Sequence, residues 1–523
     1  MPPHAAMAAP PCCASAKPRS RPCSGGGEIM DQSLTSRPSS WWGRACHVLL
    51  WLLGLLSFGL IAERVLSLGD HLSRDPNEGW NAFQTRQILS GQALYPPLDG
   101  LTGNNYPPLS FYIVGWTAKL TGDPILAGRL LALLSMLTVG GIIVWMIRRL
   151  VIRAASPAVY APWLGGLLFM ALNATLLRRY VGLDDPQWMA DAVMMAGMAL
   201  ILPKQAGESP SAACSVGSAL LLLGGGMIKH NLLAAPLAVG IWLLLYHRRA
   251  WRIWCITALV GLAGGAALCL MMYGPDMMRD IADAKRHLSI LRMADKSIVP
   301  LLVLLPMAIA SRPLLQMRWQ DDRLDLIMIF ALIALPLGIF QRSGQGVDVN
   351  AHIEAVIALC LSVAVSGTAP IPTDNPWRMR VLIAAPLLIV GLVAIPKIIS
   401  ERRHLANDLH AWRFMETRIA AMPGPVACEM PALCFWAGKD FVLDFFLYGQ
   451  HVALSGDNHL LQEALRSRKF SAILLEQSKH STKAGEISSP LPSLIEQIYM
   501  PLDLGQKHWE IMVPRPAGPD HKG

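Results

Sequence analysis

Charge is scarce in this 523-residue sequence: Asp, Glu, Lys and Arg make up 15% of it, against about 25% in an ordinary soluble protein. With 53% hydrophobic residues and a mean hydropathy of +0.39, the deficit excludes a simple soluble domain. Apolar runs near the ~20 residues needed to cross a bilayer recur instead, among them "HVLLWLLGLLSFGLIA" from His47 and "VLIAAPLLIVGLVAIP" from Val381. No Cys/His pattern has metal-ligand spacing. The ten cysteines are scattered, and Cys255, Cys269 and Cys360 sit inside apolar runs, where they act as small hydrophobes. No compact apolar core precedes a small-residue cleavage site, so a cleaved signal peptide is not expected. No internal repeat is evident, which weighs against a transporter built from two halves with interrupted helices at the bilayer midplane.

What charge there is has a pattern. The excess of +9 falls largely in short stretches beside apolar runs: Arg148, Arg149 and Arg153; His247, Arg248, Arg249 and Arg252; Arg312 and Arg318. That is the positive-inside mark of membrane topology, and it argues against nucleic acid as a partner. Taking the basic flanks as cytoplasmic gives about eleven spans, with the N-terminus inside and residues 401–523 outside. The expected fold class is therefore mainly α, a polytopic helical membrane domain (residues 41–400). A Pro-, Ala- and Ser-rich lead (residues 1–40) precedes it, with Met1 and Met30 both possible starts. A small extracytoplasmic α/β or α+β domain follows (residues 401–523). Within that tail, "CEMPALC" (Cys428–Cys434) either closes a small disulfide or holds two buried thiols.

The chemically suggestive polar residues all map to the outer side: Asp75, Glu78, Asp184, Asp185, Lys229, His230, Arg286, Arg292, Asp348 and His352. In "SRDPNEGWNAFQ" (Ser73–Gln84), Asp75 suits an N-cap, Pro76 the first helical position and Glu78 a capping box. That device alone accounts for both carboxylates. The same pair also suits transfer of a sugar from a lipid phosphate, which needs a carboxylate to deprotonate the attacking hydroxyl and cations to hold the departing phosphate. In "LDDPQWMADAV", Asp185 before Pro186 reads as another cap, leaving Asp184 as either a second site carboxylate or a solvated loop acid. Arg129, a charge at the start of a span, must snorkel or meet an acid.

Taken in order, "GWNAFQTRQILSGQALYP" after the first acidic motif, then "NNYPPLSFY", "GDPILAGRLLALLS" and "LDDPQWMADAV", the chain resembles the GT-C class of integral-membrane glycosyltransferases. The resemblance covers about residues 45–360. It is to the branch with protein O-mannosyltransferases, aminoarabinose lipid A transferases and related bacterial family 39-like enzymes. It implies a polyprenyl-phosphate-linked sugar donor, a single inverting displacement, and a lipid, polysaccharide or protein acceptor at the periplasmic face of a bacterial inner membrane. In that family the first-loop pair is commonly Asp–Glu; here it is Asn77–Glu78. Glu78, at the matching position, is the favoured base, with Asp75 and Asp184 as supporting catalytic acids. Asp185, Lys229, His230, Arg286, Arg292 and His352 are candidates for binding substrate, and Lys285 stands beside them. No metal ligands are assigned, although a divalent metal stays open as a cofactor. The alternative is a transporter or flippase of lipid-linked sugars.

Overall fold

The computed structural model describes residues 41–96, 100–151, 160–368, 376–476, 486–502 and 509–516. The expected lead (1–40), Arg153 and the segment 369–375 lie outside the described residues. The membrane part runs through α1 (Trp41–Leu66), α2 (Pro76–Ser90), α3 (Leu109–Thr121), α4 (Pro124–Val151), α5 (Ala161–Ala174), α6 (Gln187–Ile201), α7 (Ala212–Ile228) and α8 (Ala234–Tyr246). It continues with α9 (Arg248–Tyr273), α10 (Asp276–Asp283), α11 (Ile290–Ala310), α12 (Leu314–Met317), α13 (Arg323–Gln341), α14 (Ile353–Ser366) and α15 (Pro376–Ala421).

Among the described residues, seven helices are long and apolar enough to cross a membrane, and α5, α6, α7 and α8 are shorter apolar helices. All of them coincide with apolar runs of the sequence. The centre of the bundle is α14, in which every side chain from Ile353 to Ser366 is buried. It packs against α4, α5, α11 and α13. At the other extreme α9 buries only Ala250 and Cys269, as befits an outer helix whose apolar surface would meet lipid.

Proline punctuation places the chain reversals. Pro76 and Pro124 each open a helix, where the missing N–H is no loss, and left-handed Gly91 and Gly122 close α2 and α3. Position 400 falls inside α15, which continues to Ala421 without interruption. The apolar character stops near Ile399, but "ERRHLANDLHAWRFMETR" holds good helix formers, so polarity changes without breaking the helix.

Beyond α15 the tail is mixed α and β: β1 (Val426–Cys428), α16 (Pro431–Trp436), α17 (Leu447–Ser455), α18 (His459–Arg466), β2 (Ala472–Glu476), α19 (Leu491–Ile498), β3 (Tyr499–Leu502) and β4 (Trp509–Pro514). The sheet order is β1-β2-β4-β3. β1 lies parallel to β2, with Val426 opposite Ala472, and the other pairings are antiparallel. Alternation along the strands splits its core in two. Val426, Cys428, Ala472 and Leu474 face Trp412, Met415 and Ile419 of α15 and Phe83 of α2. Ala427, Ile473 and Leu475 face Leu461, Leu465, Leu491 and Ile495 of the tail's own helices. Cys428 and Cys434 form a disulfide, which ties β1 to α16. The tail thereby shares a hydrophobic core with the helix that follows the first acidic motif.

Candidate active site

At the start of α2 the capping expectation meets a more elaborate arrangement. Asp75 is the N-cap, accepting a hydrogen bond from Asn77 N at 3.0 Å. Glu78 does not reach back to the Asp75 amide as a capping box would. Its Oε2 accepts from Arg74 N at 2.8 Å, and both its oxygens meet the Arg129 guanidinium, Nε to Oε1 at 2.8 Å and Nη2 to Oε2 at 2.7 Å. Arg129 directs its remaining N–H groups to the carbonyls of Leu68, Asp70 and Leu72, so all five donors are engaged. The charge at the start of α4 has therefore met an acid.

Glu78 is wholly buried. Burial alone would raise its pKa, but the Arg129 fork and the Arg74 amide outweigh that and hold it below the usual carboxylate range. The Glu78 carboxylate thus lies inside the protein and fastens the loop after α1 to α4.

The second acidic motif sits directly beside it. Arg64 at the end of α1 donates to the carbonyls of Arg178 and Arg179, and Arg74 donates to that of Gly182, so the end of α1 and the loop after it hold the segment after α5 by its backbone. Asn81 Nδ2 donates to the Asp184 carbonyl at 2.7 Å. Gly128 of α4 permits the approach, since a Cβ there would lie 1.8 Å from Asp184 Oδ1. Asp184 is buried; burial and the neighbouring Glu78 charge push its pKa far above an ordinary aspartate's. Of the two open readings for Asp184, the solvated loop acid is excluded.

Asp185 accepts from Gln187 N at 2.8 Å, the expected cap, and from Lys229 Nζ at 2.8 Å. Lys229 is buried, with its ammonium 5.2 Å above the Tyr106 ring. Burial would lower its pKa, but Asp185 and the Tyr106 oxygen raise it further, so it is held as a cation.

Asp75 differs from the other acids. Its second oxygen pairs with Arg179, which also reaches Asp348. The Arg179 side chain is 51% exposed, so this cation can move where Arg129 and Lys229 cannot. Burial, only partly offset by Arg179, leaves the Asp75 pKa raised. Asp348 pairs in turn with Arg342. Arg179 was not singled out from the sequence. The signal was a pair of arginines at the acid-bearing end of α5, contrary to the basic-inside pattern of the other flanks.

The remaining candidates spread outward. His230 is exposed next to Lys229. Arg286 lies over the Phe446 ring and donates to Gln345 O, while Lys285 points to solvent. Arg292 is buried, donating to the carbonyls of Gly344 and Val347 and pairing with Glu486 of the tail. It acts as a fastener between loop and tail. His352 is fully buried at the foot of α14, against Gly338. Glu354 accepts from the amides of Ala234 and Ala235, capping α8. The structure thus brings Asp75, Glu78, Asp184, Asp185 and Lys229 together, and sets Arg292 and His352 into the neighbouring loop. Among the described residues, no group of three His, Cys, Asp or Glu side chains is placed to hold a metal ion. A cavity of about 530 Å³ is at the opposite end of the bundle, lined by Tyr246, His247, Arg318, Asp321, Asp322 and Asp325, away from these acids.

Neither the family models nor the curated proteins contain a match to the sequence. Solved structures do. ArnT from Cupriavidus metallidurans in the apo state superposes with a TM-score of 0.59 at 12% identity, covering 90% of this chain and 98% of its own. The same protein bound to undecaprenyl phosphate gives 0.54 at 12% identity, over 92% and 100%. The fold is that of the GT-C membrane glycosyltransferases. The oligosaccharyltransferase of Archaeoglobus fulgidus, tethered to an acceptor peptide, gives a TM-score of 0.50 at 10% identity, over 89% of this chain and 74% of its own. The GT-C likeness thus covers nearly the whole chain, tail included, and extends well beyond the ordered motifs of residues 45–360.

Proposed function

We propose that the chain is a membrane glycosyltransferase that takes a sugar from a polyprenyl-phosphate-linked donor. It delivers the sugar to a lipid, polysaccharide or protein acceptor at the extracytoplasmic face of a bacterial inner membrane. The observation that carries this reading is the Asp75–Arg179–Asp348 arrangement. An acid of raised pKa stands beside a half-exposed cation, at the end of a GT-C bundle where Lys229 is also held as a cation. The GT-C likeness supports the class of donor. The strongly basic flanks Arg148–Arg149 and Arg248–Arg249 lie at the other end, which supports the assignment of sides.

Asp75 rather than Glu78 takes the acceptor's proton. The acceptor oxygen attacks the anomeric carbon, the bond from that carbon to the phosphate oxygen breaks, and the anomeric configuration inverts. The proton passes to the Asp75 carboxylate and the electron pair leaves with the lipid phosphate. Arg179, released from Asp75, and the more exposed His230 and Arg286 stabilise the charge gathering on that phosphate, while the buried Lys229 cation adds positive potential from behind. Glu78, Arg129 and Arg292 hold the loops in place, Asp185 orients Lys229, Asp184 supports the floor, and His352 packs the outer end of α14.

The test is to supply membranes holding the protein with a panel of labelled polyprenyl-phosphate sugars. Release of lipid phosphate with transfer of label from at least one donor is expected. No release from any donor, with the protein shown to be folded, overturns the reading.

A further inference from the structure

The three outer-loop acids Asp75, Glu78 and Asp185 each pair with a cation: Arg179, Arg129 and Lys229. Asp184 pairs with no Lys, Arg or His among the described residues. One of its oxygens lies against Gly128. The other, Oδ2, has no protein hydrogen-bond partner, and Asp184 lines a narrow pocket between α2, α3 and the start of α6.

Three more oxygens on that lining have no protein partner: Asn81 Oδ1, Thr85 Oγ1 and Ser110 Oγ. All four residues are at least 97% buried. The Asn81 amide is oriented by its bond to the Asp184 carbonyl; turned the other way, it would set oxygen against oxygen. Its Oδ1 therefore belongs to the cavity. Leaving four buried polar atoms unpartnered is costly, and natural cores rarely gather them in one place.

The donor set is all oxygen, with one carboxylate and three neutral groups. Oxygen ligands select hard cations. A single negative charge balances a single positive one. A magnesium ion would keep several waters, and the cavity has no point wide enough to centre a water-sized sphere. We propose that Asn81, Thr85, Ser110 and Asp184 form a binding site for a small monovalent cation of the sodium class, buried behind the acid cluster. The ion gives Asp184 a direct countercharge, where its nearest cation, Arg129, is paired with Glu78. It also ties α2, α3 and α6 together behind Glu78, whose Oε1 accepts from Asp184 N at 3.4 Å. The inference is independent of the proposed transfer reaction.

An ion that binds the folded state alone raises its stability with concentration. The test is thermal unfolding of the purified full chain in detergent, in chlorides of sodium, lithium, potassium or choline at equal ionic strength. Sodium is expected to raise Tm above choline by about 2 °C or more and to saturate, with potassium giving less. Ser110→Ala and Thr85→Val are expected to at least halve the sodium shift, and Asp184→Asn to abolish it. The same Tm in all four salts for the wild-type chain overturns the proposal. So does a sodium shift that persists undiminished in Asp184→Asn. The wild-type comparison stands even if every variant fails to fold.

Discussion

At the residue scale, two carboxylates three positions apart do opposite work. Glu78 is locked by a two-pronged contact to Arg129 in a fully buried site, whereas Asp75 faces a partner that is half in solvent. Breaking a buried ion pair by removing one charge costs about 3–5 kcal/mol. Glu78→Gln is therefore expected to lower thermal stability in detergent sharply, because Arg129 stays behind uncompensated. Adding Arg129→Met removes that stranded charge but also its bonds to the carbonyls of Leu68, Asp70 and Leu72, so the double change should cost less than the sum of the two single ones, which a double-mutant cycle reads directly.

The pH dependence of transfer follows from Asp75. A base works only when deprotonated, and burial raises its pKa. The acid limb of the rate profile should therefore lie above that of an ordinary aspartate, with activity lost as pH falls through the raised value. Charged residues were visible in the sequence; their pairings were not. Glu78 and Arg129 are 51 positions apart, and Asp75 and Arg179 are 104 apart. Periodicity and capping rules act over a few residues and say nothing about such distances.

At the element scale, α2 is the joint between membrane bundle and tail. Gly79 packs so closely on α16 that a Cβ there would lie 2.0 Å from Ala432 N. Gly79→Val must displace α16 or α2, and limited proteolysis should then release the tail far faster than in the wild type. Across the same joint Trp80 Nε1 donates to Asp444 Oδ2 at 3.0 Å. Burial outweighs the hydrogen bonds Asp444 accepts and raises its pKa to about 6. The folded state thus holds a proton that the unfolded chain has released above about pH 4. Stability should fall as pH rises from about 4 to about 6 and then level off, and Asp444→Asn should flatten that part of the curve. Long helices were legible from hydropathy, since a bilayer admits few alternatives. The tail was legible only as mixed α and β, because β1, at three residues, is too short to carry a period. Position 400 read as a domain edge because polarity changes there, although α15 runs on.

At the scale of the whole molecule, alternating helices place the acids and the strongly basic flanks at opposite ends. If the acid end is extracytoplasmic, a cysteine at exposed Ser467 should react with a membrane-impermeant maleimide in intact cells. One at exposed Gln205 should react only after lysis, both in a background that keeps only Cys428 and Cys434 of the native cysteines. The reverse pattern would turn the molecule over. The ordered motifs anticipated the fold that ArnT shares, while the different partners of Asp75 and Glu78 lie too far along the chain to be read from it.

That division is the central claim, and Asp75→Asn tests it most directly. Asparagine caps a helix about as well as aspartate, so this change removes the base and keeps the cap. Lipid-phosphate release from an accepted donor should fall by about two orders of magnitude or more, while the unfolding temperature stays near that of the wild type. Undiminished release by a folded Asp75→Asn protein would contradict the assignment of the proton to Asp75.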